Sequence, residues 1–413
     1  MTRHGNDEVL ALTRRYLEMV EGRELSLDEK QAFIAETVEA YERHVNRGFI
    51  GYRKSVTEAG QFAALEWSGR GSMLRDLLGR EYIDCLGGYG IFSAGVNHPR
   101  ILGAVACQMQ RMALNSQELL EPWRAALARL LAMVTPGELG NAFFINNGTD
   151  AIEGAIKLAR LYTRRNLFVS TLGGFHGKSL GSLSLMGKAS FREPFAGGLQ
   201  DVRFVPYGEA DALEAELAKA EHVGTPIAAF VVEPVQGEAG GVVPPDDYLP
   251  RVRELCTRHG TLLIADEIQT GMGRTGKLWG VDHSGVAPDI MCLGKSIGGG
   301  VMPLSAFIAP AEIWEVMIPN PIIHSTTFGG NPMACAAGIA AIEVTLEEDL
   351  PGQAAAKGDF LLRELAALRE RYPQVLSDAH GRGLLIGMEF PTDELGFAVA
   401  AGLFKRGVLV AGT

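Results

Sequence analysis

Cysteine is scarce in this 413-residue chain, and no two of its five thiols are spaced as C-x-x-C. An odd set at positions 85, 107, 256, 292 and 335 argues against a closed disulfide framework and against a zinc site built on cysteine pairs. The thiols read as reduced core residues of a cytoplasmic protein. No histidine or cysteine cluster has metal-ligand spacing, so no metal is expected. Positive charge is also in deficit, with 38 Lys and Arg against 49 Asp and Glu. A net charge of -11 argues against a nucleic-acid surface, which needs a basic face. Long hydrophobic runs are missing: nothing approaches the ~20 apolar residues of a membrane helix, and the opening MTRHGNDEVLALTRRYLEMVEG has no signal-peptide core. Repeats and low-complexity tracts are absent as well. What remains, 47% hydrophobic and 21% charged, is an ordinary globular composition, long enough for a large core and two domains.

One lysine organises the rest. Asp289–Leu293 is a short apolar run that reads as a buried strand and delivers Lys295 to its end. Gly298, Gly299 and Gly300 come next, where backbone or a flat ligand can approach closely. A lysine so placed is desolvated, its pKa falls, and its amine can attack a carbonyl to form a Schiff base. The alternative is an aliphatic stem lying along a strand end with its ammonium in water.

In chain order, residues 1–46 have amphipathic helical spacing, and Ser26-Leu27-Asp28-Glu29 fits a capping box opening a second helix. Arg75–Asp84 predicts a hairpin turning near Leu78-Gly79. Gly87-Gly88-Tyr89-Gly90 predicts either a loop that lets backbone approach a ligand or a plain turn. From Asn141 onward apolar strands (142–145, 167–171, 202–205, 227–232, 261–265, 289–293, 304–309) alternate with helical stretches (150–165, 210–220, 247–259). That alternation predicts an α/β domain whose mainly parallel sheet is covered on both faces. Beyond Gly330 come long helices, 332–346 and 352–372, and then the strand-like 384–390. The expected division is an N-terminal helical segment at 1–65, a large domain at 66–321 and a smaller α/β domain at 322–413, with the N-terminal helices packing on the small domain.

Three glycine-rich stretches invite phosphate readings. Gly271-Met272-Gly273-Arg274-Thr275-Gly276 fits G-x-G-x-x-G, but residues 277–288 have no helical period, and Asp266 and Glu267 would crowd a pyrophosphate. It misses a P-loop as well, with Leu278 where the magnesium-binding hydroxyl belongs. Gly173–Ser179 is one residue too short for one. The better anion site is Asn146-Asn147-Gly148-Thr149-Asp150, where a strand turns into an amphipathic helix and offers free N–H groups at its positive end. Capping by Asp150 is the simpler explanation of that turn.

Asp266-Glu267 ends the apolar run TLLIA. A buried carboxylate at a strand end serves a ligand, a metal or an arginine, because left unpaired it is costly. Asp266 could hold the protonated ring nitrogen of an aromatic cofactor, or it could pair with Arg274.

Here the resemblance becomes specific. FFINNGTDAIEGAIKLAR, GGFHGKSLGSLSLMGK, VVEPVQGEAGG, LLIADEIQTGMGRTGK, DIMCLGKSIGGGVMP and STTFGGNPMACAAG occur in the order of the class III aminotransferases. That family belongs to the fold type I pyridoxal-phosphate enzymes, and the similarity covers essentially residues 70–390. HVNRGFIGYRKSV, EYIDCLGGYGIF, NSQELLEP and the ending RGVLVAGT resemble members acting on the diamine putrescine. The resemblance implies an α/β fold of that type, pyridoxal 5'-phosphate as cofactor, and transfer of an amino group from a terminal amine to 2-oxoglutarate, giving 4-aminobutanal and glutamate. It implies that Gly148 and Thr149 hold the phosphate, Phe175 stacks on the ring and Asp266 pairs with the ring nitrogen. Gln269 then reaches the phenolic oxygen and Lys295 forms the Schiff base. Thr327 would contact the phosphate of the neighbouring subunit's cofactor, making the enzyme a homodimer or a dimer of dimers. Gln117 and Glu118 would reach the substrate tail across that dimer, although both also read as surface residues, and Phe175 as a core aromatic.

One departure stands out. Family members continue past this ending to an arginine that grips the keto acid's carboxylate, and Glu238 matches the glutamate that pairs with it. Arg406 is the only arginine near the end of this chain, which therefore reads as truncated. An ornithine, acetylornithine or other ω-amino acid aminotransferase is the alternative within the family, and a nucleotide-binding protein is the alternative outside it.

Overall fold

The computed structural model describes residues 5–53, 55 and 63–412. Residues 1–4 of the first expected helix, and Lys54 and Val56 of the His44–Val56 stretch, lie outside the described residues. Contacts divide the chain into two compact units. One comprises Met1–Gly69, Met73–Asp84 and Ala401–Leu409, and the other Arg70–Ser72, Cys85–Ala400 and Val410–Thr413.

In the first unit the capping box forms as its spacing requires. The Ser26 hydroxyl accepts the Glu29 N–H at 3.3 Å, and the Glu29 carboxylate accepts the Ser26 N–H at 2.8 Å. The helix it opens, Leu27–Ala40, widens into a π-helical segment at Tyr41–Asn46. It buries Ile34 and Val38 with Ala63 and Leu77. Strands β1 (Glu66–Arg70), β2 (Met73–Asp76) and β3 (Glu81–Asp84) form a small sheet that the short strand Val408–Leu409 completes in parallel to β3. β2 and β3 are the expected hairpin, turned where Gly79 takes φ +89.

The larger unit holds all seven expected strands: β4 (Asn141–Ile145), β5 (Leu167–Thr171), β6 (Val202–Val205), β7 (Ile227–Val232), β8 (Leu262–Asp266), β9 (Ile290–Leu293) and β10 (Ser305–Ala309). They form one sheet in the order β4-β10-β9-β8-β7-β5-β6. β10 runs antiparallel to both neighbours, and the pairs β9/β8, β8/β7, β7/β5 and β5/β6 are parallel. Every residue of β7 is buried, as a strand covered on both faces by helices must be. Because β5, β7, β8 and β9 point the same way, their carboxyl ends converge on one edge, the place where open α/β sheets bind ligands.

The helices Pro332–Glu347 and Leu350–Arg371 and the hairpin of β11 (Asp378–Arg382) and β12 (Leu385–Glu389) belong to the larger unit. The expected boundary between 321 and 322 is therefore not a break between compact units. Main chain packed on main chain explains why. A Cβ on Gly387 would lie 1.6 Å from the Gly240 oxygen, one on Gly383 would lie 2.4 Å from the Thr275 carbonyl carbon, and Leu384 N–H bonds the Arg274 carbonyl at 2.9 Å. The expectation of five core thiols needs correction. Cys256, Cys292 and Cys335 are buried, but Cys85 leaves the end of β3 and Cys107 faces outward from the helix Pro99–Arg111, and both are exposed. No disulfide joins cysteines among the described residues. No helix among them is long and apolar enough to cross a membrane.

The helix Gly148–Thr163 lies on β9 and β10, and Gly154 allows the close approach. A Cβ there would fall 2.1 Å from the Phe307 ring. Gly154→Ala is expected to destabilise the cofactor-free protein by about 1–3 kcal/mol in urea denaturation, and Phe307→Leu in the same chain to restore part of that loss. An alanine variant as stable as the parent would show that the sheet yields easily there.

Candidate active site

Lys295 stands two residues past β9, at the start of a single 3-10 turn, with φ +49 in the left-handed region. Such a backbone is strained for any residue with a Cβ and is found where surrounding structure enforces it. Burial pushes the Lys295 amine below the ordinary lysine value, Arg274 adds to the effect, and Asp266, Glu233 and Glu238 oppose it. The stem lies against Gly90, where a Cβ would sit 3.4 Å from Lys295 Cδ and 3.4 Å from Gln269 Cγ. The Gly87–Gly90 turn is therefore more than a connector. All four of its residues have positive φ, so the chain winds left-handed there and brings bare backbone against the lysine.

Asp266, the last residue of β8, is 3% exposed. Its Oδ2 lies 2.8 Å from His176 Nδ1, and its Oδ1 accepts the Ile268 N–H at 3.1 Å. The alternative pairing with Arg274 is not among these contacts, and Arg274 donates to Ser93 Oγ at 3.0 Å. His176 is fully buried. Burial alone would lower its pKa, but the hydrogen bond and charge of Asp266, with Glu233 behind, hold it above the ordinary histidine value. Its Nε2 is buried with no hydrogen-bond partner among the described residues.

Glu233, the first residue after β7, completes a group that sequence reasoning overlooked. The signal was present, since an acid closing the all-apolar strand IAAFVV satisfies the argument applied to Asp266. Burial chiefly pushes its carboxyl up to about 7, with Asp266 adding and His176 opposing. Its Oε1 accepts the Phe175 N–H at 2.9 Å and its Oε2 the Gly237 N–H at 3.0 Å. Phe175 itself is half-buried in the loop after β5 and meets Phe191 edge-on. Gln269 rests against Gly237, where a Cβ would fall 1.8 Å from Gln269 Oε1. Glu238 stands next in the same loop, and its carbonyl accepts Lys188 Nζ at 2.8 Å.

At the anion candidate, β4 turns into the helix Gly148–Thr163. Asn147 caps the helix, its side chain accepting the Asp150 N–H at 3.0 Å, so the cap is Asn147 and not Asp150. Gly148 and Thr149 supply the first helical N–H groups, which precede any intrahelical acceptor. The Thr149 hydroxyl is engaged elsewhere: it accepts the Ser179 N–H at 3.1 Å and lies 2.6 Å from both Ser179 Oγ and Ser182 Oγ. Ser179 in turn donates to Glu153 Oε1 at 2.5 Å. The main chain of Thr149, not its hydroxyl, is what this turn offers an anion. The G-x-G-x-x-G stretch is closed by the chain itself, since it opens no helix and a Cβ on Gly276 would meet Ala355 at 3.0 Å.

Thr327, Gln117 and Glu118 lie on an exposed surface. Gln117, at φ +69, donates from Nε2 to the Thr327 carbonyl at 2.6 Å. These positions come together with one another, while Lys295, Asp266, His176, Glu233, Phe175 and Gln269 form a second group around three buried members, Asp266, His176 and Glu233.

A family model described as aminotransferase class-III matches residues 57–413. The chain belongs to the class III aminotransferases. Among solved structures, the ornithine aminotransferase of Toxoplasma gondii is 30% identical with a TM-score of 0.82, over 95% of this chain and 91% of that one. An amine transaminase from an uncultivated Pseudomonas species, in its PLP-bound form, is 33% identical with a TM-score of 0.80, over 86% and 89%. An (S)-enantioselective omega-transaminase from Thermomicrobium roseum is 30% identical with a TM-score of 0.83, over 92% and 91%. The aminotransferase has the fold type I architecture, and its cofactor is pyridoxal 5'-phosphate. The residues present fit that group: a buried amine, a buried strand-end carboxylate, a helix start with uncommitted N–H groups, and a cradle at Gly90 and Gly237 that any Cβ would fill.

Next to Asp266, Glu267 points away from this group. Thr270 Oγ1 donates to it, as do the Gly280 N–H at 2.8 Å and the Val281 N–H at 2.7 Å. Burial still pushes its carboxyl from 4.5 up to about 7. Between those values the folded chain holds a proton that the unfolded chain has lost, so the stabilisation is complete below about 4.5 and is lost as pH rises through about 7. Full development of that shift corresponds to ~3 kcal/mol. Denaturant titration of the cofactor-free protein at pH 5 and pH 8 is expected to show this fall, and Glu267→Gln to reduce it. An identical pH slope in the variant would assign the titration elsewhere.

Proposed function

We propose that this aminotransferase moves the amino group of a terminal primary amine, putrescine, to 2-oxoglutarate, giving 4-aminobutanal and glutamate. The observation that carries the amine reading is the acidic surrounding of Lys295. Asp266, Glu233 and Glu238 all favour positive charge at its amine, the charge a protonated diamine brings. Similarity of the stretches 44–56, 81–92, 115–122 and 406–413 to putrescine-acting members supports the diamine. A second reading is an ornithine or other ω-amino acid donor. It draws on the neighbours named as ornithine aminotransferases and on Arg274, whose charge reaches Lys295 and could meet a substrate carboxylate.

When bound, pyridoxal phosphate supplies an electrophilic carbonyl carbon and an electron-accepting ring. In this proposal the remaining work falls to the chain. Lys295 Nζ, its proton affinity lowered by burial, would hold the cofactor until the substrate amine displaces it, and would then take the proton from the substrate carbon beside nitrogen and return it. Asp266, backed by His176, keeps a ring nitrogen protonated. The N–H groups of Gly148 and Thr149 hold the phosphate, Phe175 covers a ring face, and Gln269 reaches the phenolic oxygen. Thr327 meets the phosphate of the partner subunit's cofactor in a homodimer or dimer of dimers, with Gln117 and Glu118 facing the substrate tail. Support for that assembly comes from the exposed apolar residues flanking these positions, Leu119 and Leu120 on one side and Ile322 and Phe328 on the other.

Steady-state assays with putrescine, cadaverine, ornithine and 4-aminobutyrate rank the donors. Putrescine is expected to give the highest kcat/KM, and a higher value for ornithine would replace the diamine reading with the second one. Asp266→Asn keeps the shape of the site but removes the charge. Removing one partner of a buried pair is commonly worth ~3–5 kcal/mol, and each ~1.4 kcal/mol that reaches the barrier slows the step about tenfold. A fall in kcat of about a hundredfold or more is expected, with the amine KM little changed. Single-turnover mixing with putrescine reads the step directly. The parental rate in Asp266→Asn would reduce Asp266 to a structural acid.

A further inference from the structure

We propose that Glu233 is a positioning residue whose single buried carboxylate ties the loop carrying Phe175 to the loop carrying Gly237, so that both flanks of the cofactor site are set as one frame. The geometry is specific. Each carboxylate oxygen accepts one main-chain N–H, from Phe175 at 2.9 Å and from Gly237 at 3.0 Å, and these N–H groups belong to connections leaving different strands, β5 and β7. Phe175 and His176 are consecutive, so the loop that Glu233 holds also carries the imidazole bonded to Asp266. On the other side, Gly237 is the surface on which Gln269 rests. A shift at either N–H therefore moves the side chain proposed for the ring face or the one proposed for the ring edge. Among the described residues, no side-chain cation hydrogen-bonds the Glu233 carboxylate. A carboxylate this buried is retained against its desolvation cost by the two N–H groups it accepts.

The clamp rests on the roles proposed above for Phe175 and Gln269. Glu233→Gln isolates it, because glutamine keeps the length but has one accepting oxygen, and its amide nitrogen would confront the second N–H. The variant is expected to fold with the parental far-ultraviolet circular dichroism. Its affinity for added pyridoxal phosphate, read by fluorescence titration of the cofactor-free protein, should weaken about tenfold. Visible ellipticity per bound cofactor should fall as well, since it reports how rigidly the ring is held. A purely structural role would lower the melting temperature while leaving ellipticity per bound cofactor unchanged. Affinity and ellipticity within twofold of the parent would overturn the proposal. Phe175→Leu and Gln269→Ala test the underlying roles separately: if either loses neither affinity nor ellipticity, that reading fails and the frame with it. If Glu233→Gln does not fold, hydrogen exchange on the parent protein decides. Phe175 and Gly237 amides protected about a hundredfold over an unbonded amide support the clamp, and unprotected amides remove it.

Discussion

Charge without water is the constraint on which this site depends. β7, β8 and β9 end at the same edge of the sheet, with Glu233 one residue past β7, Asp266 closing β8 and Lys295 two residues past β9. Each would be costly alone in an apolar interior. Together with His176 they limit that cost, because each charge finds an opposite charge or an N–H dipole. Asp266 meets His176, Glu233 meets two amides, and Lys295 sits in the field of both acids. The compensation is incomplete, as the raised Glu233 carboxyl and the lowered Lys295 amine show. Burial lowers the proton affinity of the Lys295 amine, while Asp266, 2.8 Å away, raises that of His176.

The backbone bears the rest of the strain. Tyr89, Met272 and Lys295 all have φ between +49 and +59, and each lies in a turn adjoining the buried group. Left-handed turns of this kind cost energy locally and persist because neighbouring packing determines them. What they gain is proximity. Gly237 can touch Gln269 only where no Cβ intervenes, and Gly90, at φ +98, brings its main chain beside the lysine stem. The glycines and the strained residues are two halves of one arrangement, which brings main chain close to Lys295 and Gln269.

Much of this was legible in the sequence because period and polarity conflict openly there. Seven apolar runs gave seven strands within a residue or so at each end, since a strand buried on both faces has no polar alternation to blur its bounds. Lys295 and Asp266 stood out as charges at the ends of such runs. Glu233 met the same criterion and was hidden only by the motif around it. His176 could not be read, because its partner lies 90 residues away and nothing local marks a histidine that must be buried. The antiparallel turn of β10 was also invisible, since direction depends on how the chain returns after Lys295 and not on composition. The division near residue 321 followed a change of pattern from strands to helices. Main-chain packing of Gly383 and Gly387 against Thr275 and Gly240 then joined what the pattern had separated.

A chain of net charge -11 must nevertheless hold a phosphate. Range decides whether it can. Exposed charges more than about 8–10 Å away are largely screened at ordinary ionic strength, whereas a helix start acts on an anion within one turn. Asp150 and Glu153 are the exceptions, since both stand at the start of the same helix, close enough to repel. The Asp150 Oδ2 accepts the Asn147 Nδ2 at 2.9 Å. The Glu153 Oε1 accepts the Ser179 hydroxyl and the Ser182 N–H, which draws donor dipoles onto its charge. The Thr149 hydroxyl is linked to the same two serines, so the network that quiets Glu153 also fixes the main chain of Thr149. The N–H groups of Gly148 and Thr149 are thereby held in place by side chains that need not touch the anion themselves. In the proposed phosphate site the acids beside the helix start are thus engaged by donors of the chain itself, Asp150 by Asn147 and Glu153 by Ser179 and Ser182.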